Sequence, residues 1–195
     1  MWLLASAPTQ ELLLIRHAPA LNEGRLAGRR DVPADIADEA ALAALRRHLG
    51  TVDRVIASPA LRCRQTTQAL WPETEPRLDP RLWEQDFGLW EGLPFTDIPD
   101  QGALPPEQLA LLAPPDGESF ADLCARTAPA IEQIAALPGR SAIVAHAGTI
   151  RAALAMALGT IGPALAFSID PLSITRLIPC GAQWAIAGVN QKACP

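Results

Sequence analysis

Glu11-Leu12-Leu13-Leu14-Ile15-Arg16-His17 is the stretch on which the reading of this chain turns. Leu12 to Ile15 are consecutive apolar residues, too few for a core helix and without the alternation of a half-exposed strand. They predict a strand covered on both faces, as in a parallel sheet. The run ends in a cation and an imidazole. The same layout recurs twice: Val52 to Ala57 leads into Ser58-Pro59, and Ser141 to Ala145 leads into His146. Helical patterns lie between these runs. Asp38 caps a helix to about Leu49, with Gly50 as its stop. Ser58 as N-cap and Pro59 at the first helical position start another, running to about Leu70. Asp116 or Ser119 restarts a helix that ends near Leu137-Pro138-Gly139, and a last one spans about Thr149 to Leu158. Ala164 to Val189 alternates strand-like runs with turn signals. Strands separated by helices predict an α/β fold with a largely parallel sheet. Ligands of such sheets sit beyond the C-terminal strand ends. Arg16-His17, Ser58 (leading to Arg62) and His146 therefore converge on one rim.

The rest of the chain narrows the function. Its 195 residues suit one domain, 1–195. Prolines at 72, 76, 80, 94, 99, 105, 106, 114 and 115 make Trp71 to Pro115 an irregular region, with 83–116 as a small Pro-rich cap over the site. A net charge of −5 and the absence of Tyr argue against a nucleic-acid surface. Yet all but one of the basic residues are Arg, the exception being Lys192, and guanidinium forks suit phosphate oxygens. Cys63, Cys124, Cys180 and Cys194 form no C-x-x-C pair, and with three His no zinc set is expected. Met1 to Ala7 lacks the basic start and apolar length of a signal peptide, and no run reaches membrane-span length. A cytoplasmic protein with no cofactor, no metal and no membrane partner is the expectation. Trp2, Leu3 and Leu4 could serve a homodimer contact or be a frayed end.

Four segments together resemble the histidine phosphatase (phosphoglycerate mutase-like) superfamily. Leu13-Leu14-Ile15-Arg16-His17-Ala18 resembles its L-x-R-H-G signature, and Ala57 to Thr66 its S-P-L-x-R-A-x-Q-T element. Leu82 to Gly92 resembles L-x-E-x-x-F-G-x-W-E-G, and Val144 to Arg151 resembles V-x-H-G-G-x-I-R. They stand in the family's order over residues 12 to 158. The resemblance implies a three-layer sandwich and a phosphohistidine mechanism. His17 would be the nucleophile, held neutral by Arg16 and Arg62. Arg16 and Arg62 would grip the phosphoryl oxygens. His146 would be the second phosphate-binding histidine, protonated once a dianion is bound, with backbone N–H groups of Ala147 and Gly148 beside it. Glu84 would be the general acid and then the base, with Asp86 and Glu91 as neighbouring alternatives. Bound phosphate and a covered site would favour its protonated form. The segment Gly24 to Pro33 resembles G-R-x-x-G-x-x-D-x-P, so Arg25 would touch phosphate or be a solvated loop residue. Asn22 would match a family Asn only after a shift of about two residues. Arg64 is assigned a solvated helix face, and His48 a helix C-terminus.

Two departures stand out: Ala18 and Ala147 replace glycines and would be strained if either position needs positive φ. The chain is short for a mutase, so a phosphatase acting on a small phosphorylated metabolite is favoured. Size and the Gly-Arg-x-Asp-Val-Pro wording are similar to alpha-ribazole phosphatases, which implies alpha-ribazole 5′-phosphate. A mutase-type phosphoryl transfer and a non-catalytic binder of phosphorylated ligands remain as alternatives.

Overall fold

A computed structural model describes residues 10–193. Met1 to Ala7, the candidate dimer contact within it and Cys194 lie outside the described residues. The opening apolar run is strand β1 (Glu11–Arg16), with Leu12 to Ile15 buried. It joins β2 (Arg54–Ala57), β3 (Arg77–Leu78), β4 (Arg140–Ala145), β5 (Ile174–Cys180) and β6 (Gln183–Gln191) in one sheet of order β3-β2-β4-β1-β5-β6. β1 to β4 run parallel, β5 is antiparallel to β1, and β6 is antiparallel to β5. The sheet is therefore mostly parallel, as expected. Its antiparallel part comes from the tail, where a tight turn at Gly181 (φ 67) reverses the chain directly.

β3 corrects the expectation that Trp71 to Pro115 contributes nothing to a core layer. Two of its residues form the edge of the sheet beside β2. Two residues carry no readable periodicity, and Asp79 extends the pairing by donating its N–H to the Ala57 carbonyl at 3.0 Å.

The helices are α1 (Glu39–Leu49), α2 (Leu61–Leu70), α3 (Pro106–Leu109), α4 (Phe120–Ala135) and α5 (Ala147–Leu158). Asp38 caps α1 by accepting from the Ala41 N–H, and Gly50 (φ 60) ends it. Ser119, not Asp116, starts α4, in a reciprocal capping box with Asp122. Asp116 instead sits in a turn at φ 58. Two starts differ from expectation. α2 begins at Leu61 with Ala60 as its cap residue, because Ser58 turns its hydroxyl toward His146. α5 begins at Ala147, two residues earlier than its apolar pattern, with His146 in the cap position.

Alternation along β1 divides the core. Leu12 and Leu14 pack with α4 and α5; Leu13 and Ile15 pack with α1 and α2. Helices thus cover both sheet faces, giving three layers. Each such fully buried side chain contributes about 1.5–3 kcal/mol of transfer free energy. Below the sheet, Glu11 joins three strands by accepting from Arg140 Nε at 2.8 Å and Arg176 Nε at 2.8 Å.

Polar contacts tie the cap to α4 and to the loop after β1. Arg126 of α4 donates to the carbonyls of Arg81, Trp83 and Glu84 and pairs with Glu118 at 2.8 Å. Arg29 reaches across to Asp86 at 3.4 Å and Glu118 at 2.9 Å. Among the described residues no helix is long and apolar enough to cross a membrane.

Candidate active site

Because β1, β2 and β4 are parallel, the residues that follow them share one edge. His17 follows β1, Ser58 follows β2 and His146 follows β4. His17, Arg62 and His146 are all buried there.

His17 Nδ1 lies 2.6 Å from the Ala18 carbonyl oxygen. A carbonyl only accepts, so Nδ1 carries the ring proton and Nε2 keeps its lone pair. That lone pair accepts from Arg62 Nε at 3.3 Å. The pKa of His17 is lowered to about 3, by burial first, then by the Arg62 and Arg16 charges. The neutral state expected from the two arginines is present, with burial as its larger cause.

Arg62 is fixed on its far side by the Gly28 carbonyl at 2.7 Å and the Arg30 carbonyl at 2.9 Å. Three of its five N–H donors are thereby used, and two remain for a ligand. Thr66, one turn along α2, accepts from the Ala18 N–H at 2.9 Å and donates to the Arg62 carbonyl at 2.7 Å. It ties the nucleophile's loop to the helix that presents Arg62. The sequence reading overlooked it, although the spacing from Arg62 to Thr66 places both on one helix face.

Arg16 donates to the Ile169 carbonyl at 2.5 Å, while its Nε is buried and finds no acceptor among the described residues. A buried guanidinium N–H without a partner is costly, and an anion oxygen would satisfy it.

His146 stands edge-on to His17, ring centroids 5.2 Å apart at 67°. Its Nε2 is 2.8 Å from Ser58 Oγ, Cys63 Sγ is 3.5 Å away, and Trp83 lies parallel to the ring at 6.3 Å. Burial first, then Arg62 and His17, push its pKa well below the ordinary value. A proton on His146 therefore needs an anion beside it as counter-charge.

Glu84 meets the start of α5. Its Oε2 accepts from the Gly148 N–H at 3.4 Å and its Oε1 from the Gln85 N–H at 3.0 Å. A Cβ at Gly148 would lie 2.3 Å from Glu84 Oε1. Only a residue without a Cβ leaves room there for the Glu84 carboxylate. The two alternative acids are engaged elsewhere. Glu91 Oε1 accepts from the Arg29 N–H at 2.7 Å and the Phe87 N–H at 3.1 Å. Asp86 accepts from the Gly88 N–H at 2.9 Å and pairs with Arg29.

Arg25 is not brought to the histidines: it is exposed and donates to the Gly92 carbonyl at 2.9 Å, fastening its loop to the cap. Asn22 is likewise spent locally, on the Arg25 carbonyl. Arg64 and His48 are exposed on their helices. Neither Ala18 nor Ala147 has positive φ, so alanine fits both positions without strain. Among the described residues no group of three or more His, Cys, Asp and Glu side chains is arranged to hold a metal ion.

An α/β sandwich with two histidines and two arginines at the ends of parallel strands defines the class. The chain belongs to the histidine phosphatase superfamily (branch 1), whose family model matches residues 12–192, and it has the phosphoglycerate mutase-like fold. No curated protein matches it. Among solved structures, mycobacterial glucosyl-3-phosphoglycerate phosphatase in complex with VO3 is similar at 24% identity, covering 94% of this chain and 100% of that one, TM-score 0.80. An Escherichia coli protein provisionally described as an alpha-ribazole-5′-P phosphatase is similar at 20% identity, covering 96% and 98%, TM-score 0.80. The protein TTHB049 from Thermus thermophilus is similar at 29% identity, covering 90% and 97%, TM-score 0.70.

Proposed function

We propose that this chain is a cytoplasmic phosphomonoester hydrolase that works through a phosphohistidine, without a metal, on a small phosphorylated metabolite. The observation that carries this reading is the unprotonated Nε2 of His17, aimed into a fork of arginine donors beside the Glu84 carboxylate. In the proposed reaction Nε2 attacks phosphorus and the ester P–O bond breaks. Protonated Glu84 gives its proton to the departing oxygen. Water then loses a proton to Glu84 and attacks the phosphoryl group, releasing phosphate and restoring His17. Arg16, Arg62 and a His146 that takes up a proton from solvent as the dianion binds supply positive charge to the phosphoryl oxygens, with Ala147 and Gly148 N–H groups nearby. These groups provide the charge stabilisation that a metal provides in other phosphoryl-transfer sites.

The test is hydrolysis of an aryl phosphate across acidic to neutral pH in excess chelator, for the native protein and His17→Ala. Chelator-resistant turnover that vanishes in the variant is expected. Turnover that survives the substitution, or that chelator abolishes, overturns the mechanism. Alpha-ribazole 5′-phosphate and glucosyl-3-phosphoglycerate belong in the substrate panel that follows, on the strength of the structural likenesses.

A further inference from the structure

The segment 169–173, which leads into β5, brackets Arg16. The Ile169 carbonyl accepts from Arg16 Nη1 at 2.5 Å, and the Ser173 carbonyl accepts from the Arg16 N–H at 3.1 Å. The Leu172 N–H donates to the Arg16 carbonyl at 3.1 Å. Arg16 is thus held by both side chain and backbone. The Ser173 N–H closes the turn on the Asp170 carbonyl at 3.2 Å, with Leu172 at φ 58, a left-handed conformation that costs a leucine strain. The end of β6 pins this turn from outside. Asn190 Oδ1 accepts from the Asp170 N–H at 2.6 Å, and Lys192 Nζ pairs with Asp170 Oδ2 at 3.0 Å.

The place of Asp170 is a hazard for the site. It follows Ile169 directly, so its carboxylate stands within side-chain reach of the guanidinium that Ile169 holds. Its charge acts on Arg16, and so does that of Glu84. A carboxylate paired with Arg16 would compete with the phosphoryl oxygens for the same N–H groups. Both carboxylates are engaged elsewhere. Glu84 accepts from the Gly148 and Gln85 N–H groups. Asp170 is paired with Lys192, the only lysine of the chain. Among the described residues Lys192 is the one cation within 4 Å of Asp170, and Arg16 Nε finds no acceptor. Both members of the Asp170–Lys192 pair are exposed, so the pair adds little to folding stability. Its consequence is for the charge beside it.

We infer that Lys192 is a positioning residue for phosphate binding: by holding the Asp170 carboxylate it keeps Arg16 free for the phosphoryl group. This rests on the reading of Arg16 as a phosphate ligand and adds the residue that guards it. The test is inorganic phosphate binding by calorimetry, together with aryl phosphate hydrolysis. Four proteins are compared: native, Lys192→Met, the double variant Asp170→Asn/Lys192→Met, and Arg16→Gln. Asp170→Asn keeps the backbone N–H that Asn190 holds, so the turn stays in place. Lys192→Met is expected to weaken phosphate binding, and to lower kcat/KM, about tenfold, the scale of one charge-assisted hydrogen bond. Its Tm should hardly move. The double variant should return phosphate affinity and kcat/KM to near native values. Loss of a merely structural ion pair gives no such rescue, because removing the second partner restores nothing. Native affinity in Lys192→Met, or a loss that Asp170→Asn does not reverse, overturns the inference; a weakened Arg16→Gln then still leaves Arg16 as a phosphate ligand. If Arg16→Gln binds phosphate like the native protein, or the native protein binds none, the phosphate-site reading fails and the inference falls with it.

Discussion

At the scale of single residues, Gly148 and Arg62 make the sharpest demands. A methyl group at 148 would fall 2.3 Å from Glu84 Oε1 and 3.0 Å from Leu123 Cδ2. Gly148→Ala must push the carboxylate from its place, so kcat should fall about 100-fold or more while KM hardly moves, the amount expected when general acid catalysis is lost. Steady-state kinetics on an aryl phosphate checks this; an unchanged kcat would show that Glu84 is not the acid. Arg62→Lys keeps the charge but loses the fork that spans His17, Gly28 and Arg30. Its kcat should drop about 100- to 1,000-fold, and near-native turnover would mean that only the charge matters there. Both residues were legible in the sequence, because each stands in a motif tied to a strand end. Their partners were not. Ser58 read as a helix cap on local grounds, yet its hydroxyl serves His146, a residue far along the chain. Arg25 read by resemblance as a phosphate contact or a solvated loop residue; it is exposed, and its side chain fastens loop to cap. Local pattern says which groups are polar, and only packing says which other group they meet.

Among the elements, α4 has a second task besides covering the sheet. Arg126 holds the carbonyls of Arg81, Trp83 and Glu84, and so fixes the segment that carries the proposed acid. Arg126→Met should loosen that segment and release Glu118. A kcat lowered about tenfold, with faster proteolytic cleavage within 83–116, is expected from the loss of several hydrogen bonds to a charged group. Native-like cleavage rates would show that the prolines alone hold the cap. The four long helices and the three central strands were readable because each run keeps one period, and two of the helices have clear caps: Asp38 and Gly50 for α1, Ser119 with Asp122 for α4. β3 was unreadable because two residues contain no period, and its place is set by the neighbouring β2. The antiparallel direction of β5 was likewise hidden, since strand patterns carry no arrow.

For the whole molecule, the two buried histidines couple stability to pH. Below the ordinary histidine pKa the unfolded chain takes up protons that native His17 and His146 refuse. Stability should therefore fall as pH drops from about 6.5 toward 5, before carboxylates titrate, with a slope approaching about 1.4 kcal/mol per pH unit for each histidine. Urea unfolding midpoints at neutral pH and near pH 5 measure this, and His17→Asn should remove close to half of the slope. A midpoint that does not move with pH would mean that native His17 and His146 accept protons freely.

The clamp at Glu11 has a temporal side. It joins residues 129 and 165 positions apart in the chain. β1 lies between β4 and β5, so the strand that delivers His17 is made before both of its neighbours. On the ribosome the nucleophile waits, without its socket, until the tail has emerged. The onset of turnover thus reports the arrival of β4 and β5, and until then an apolar β1 has two unpaired edges.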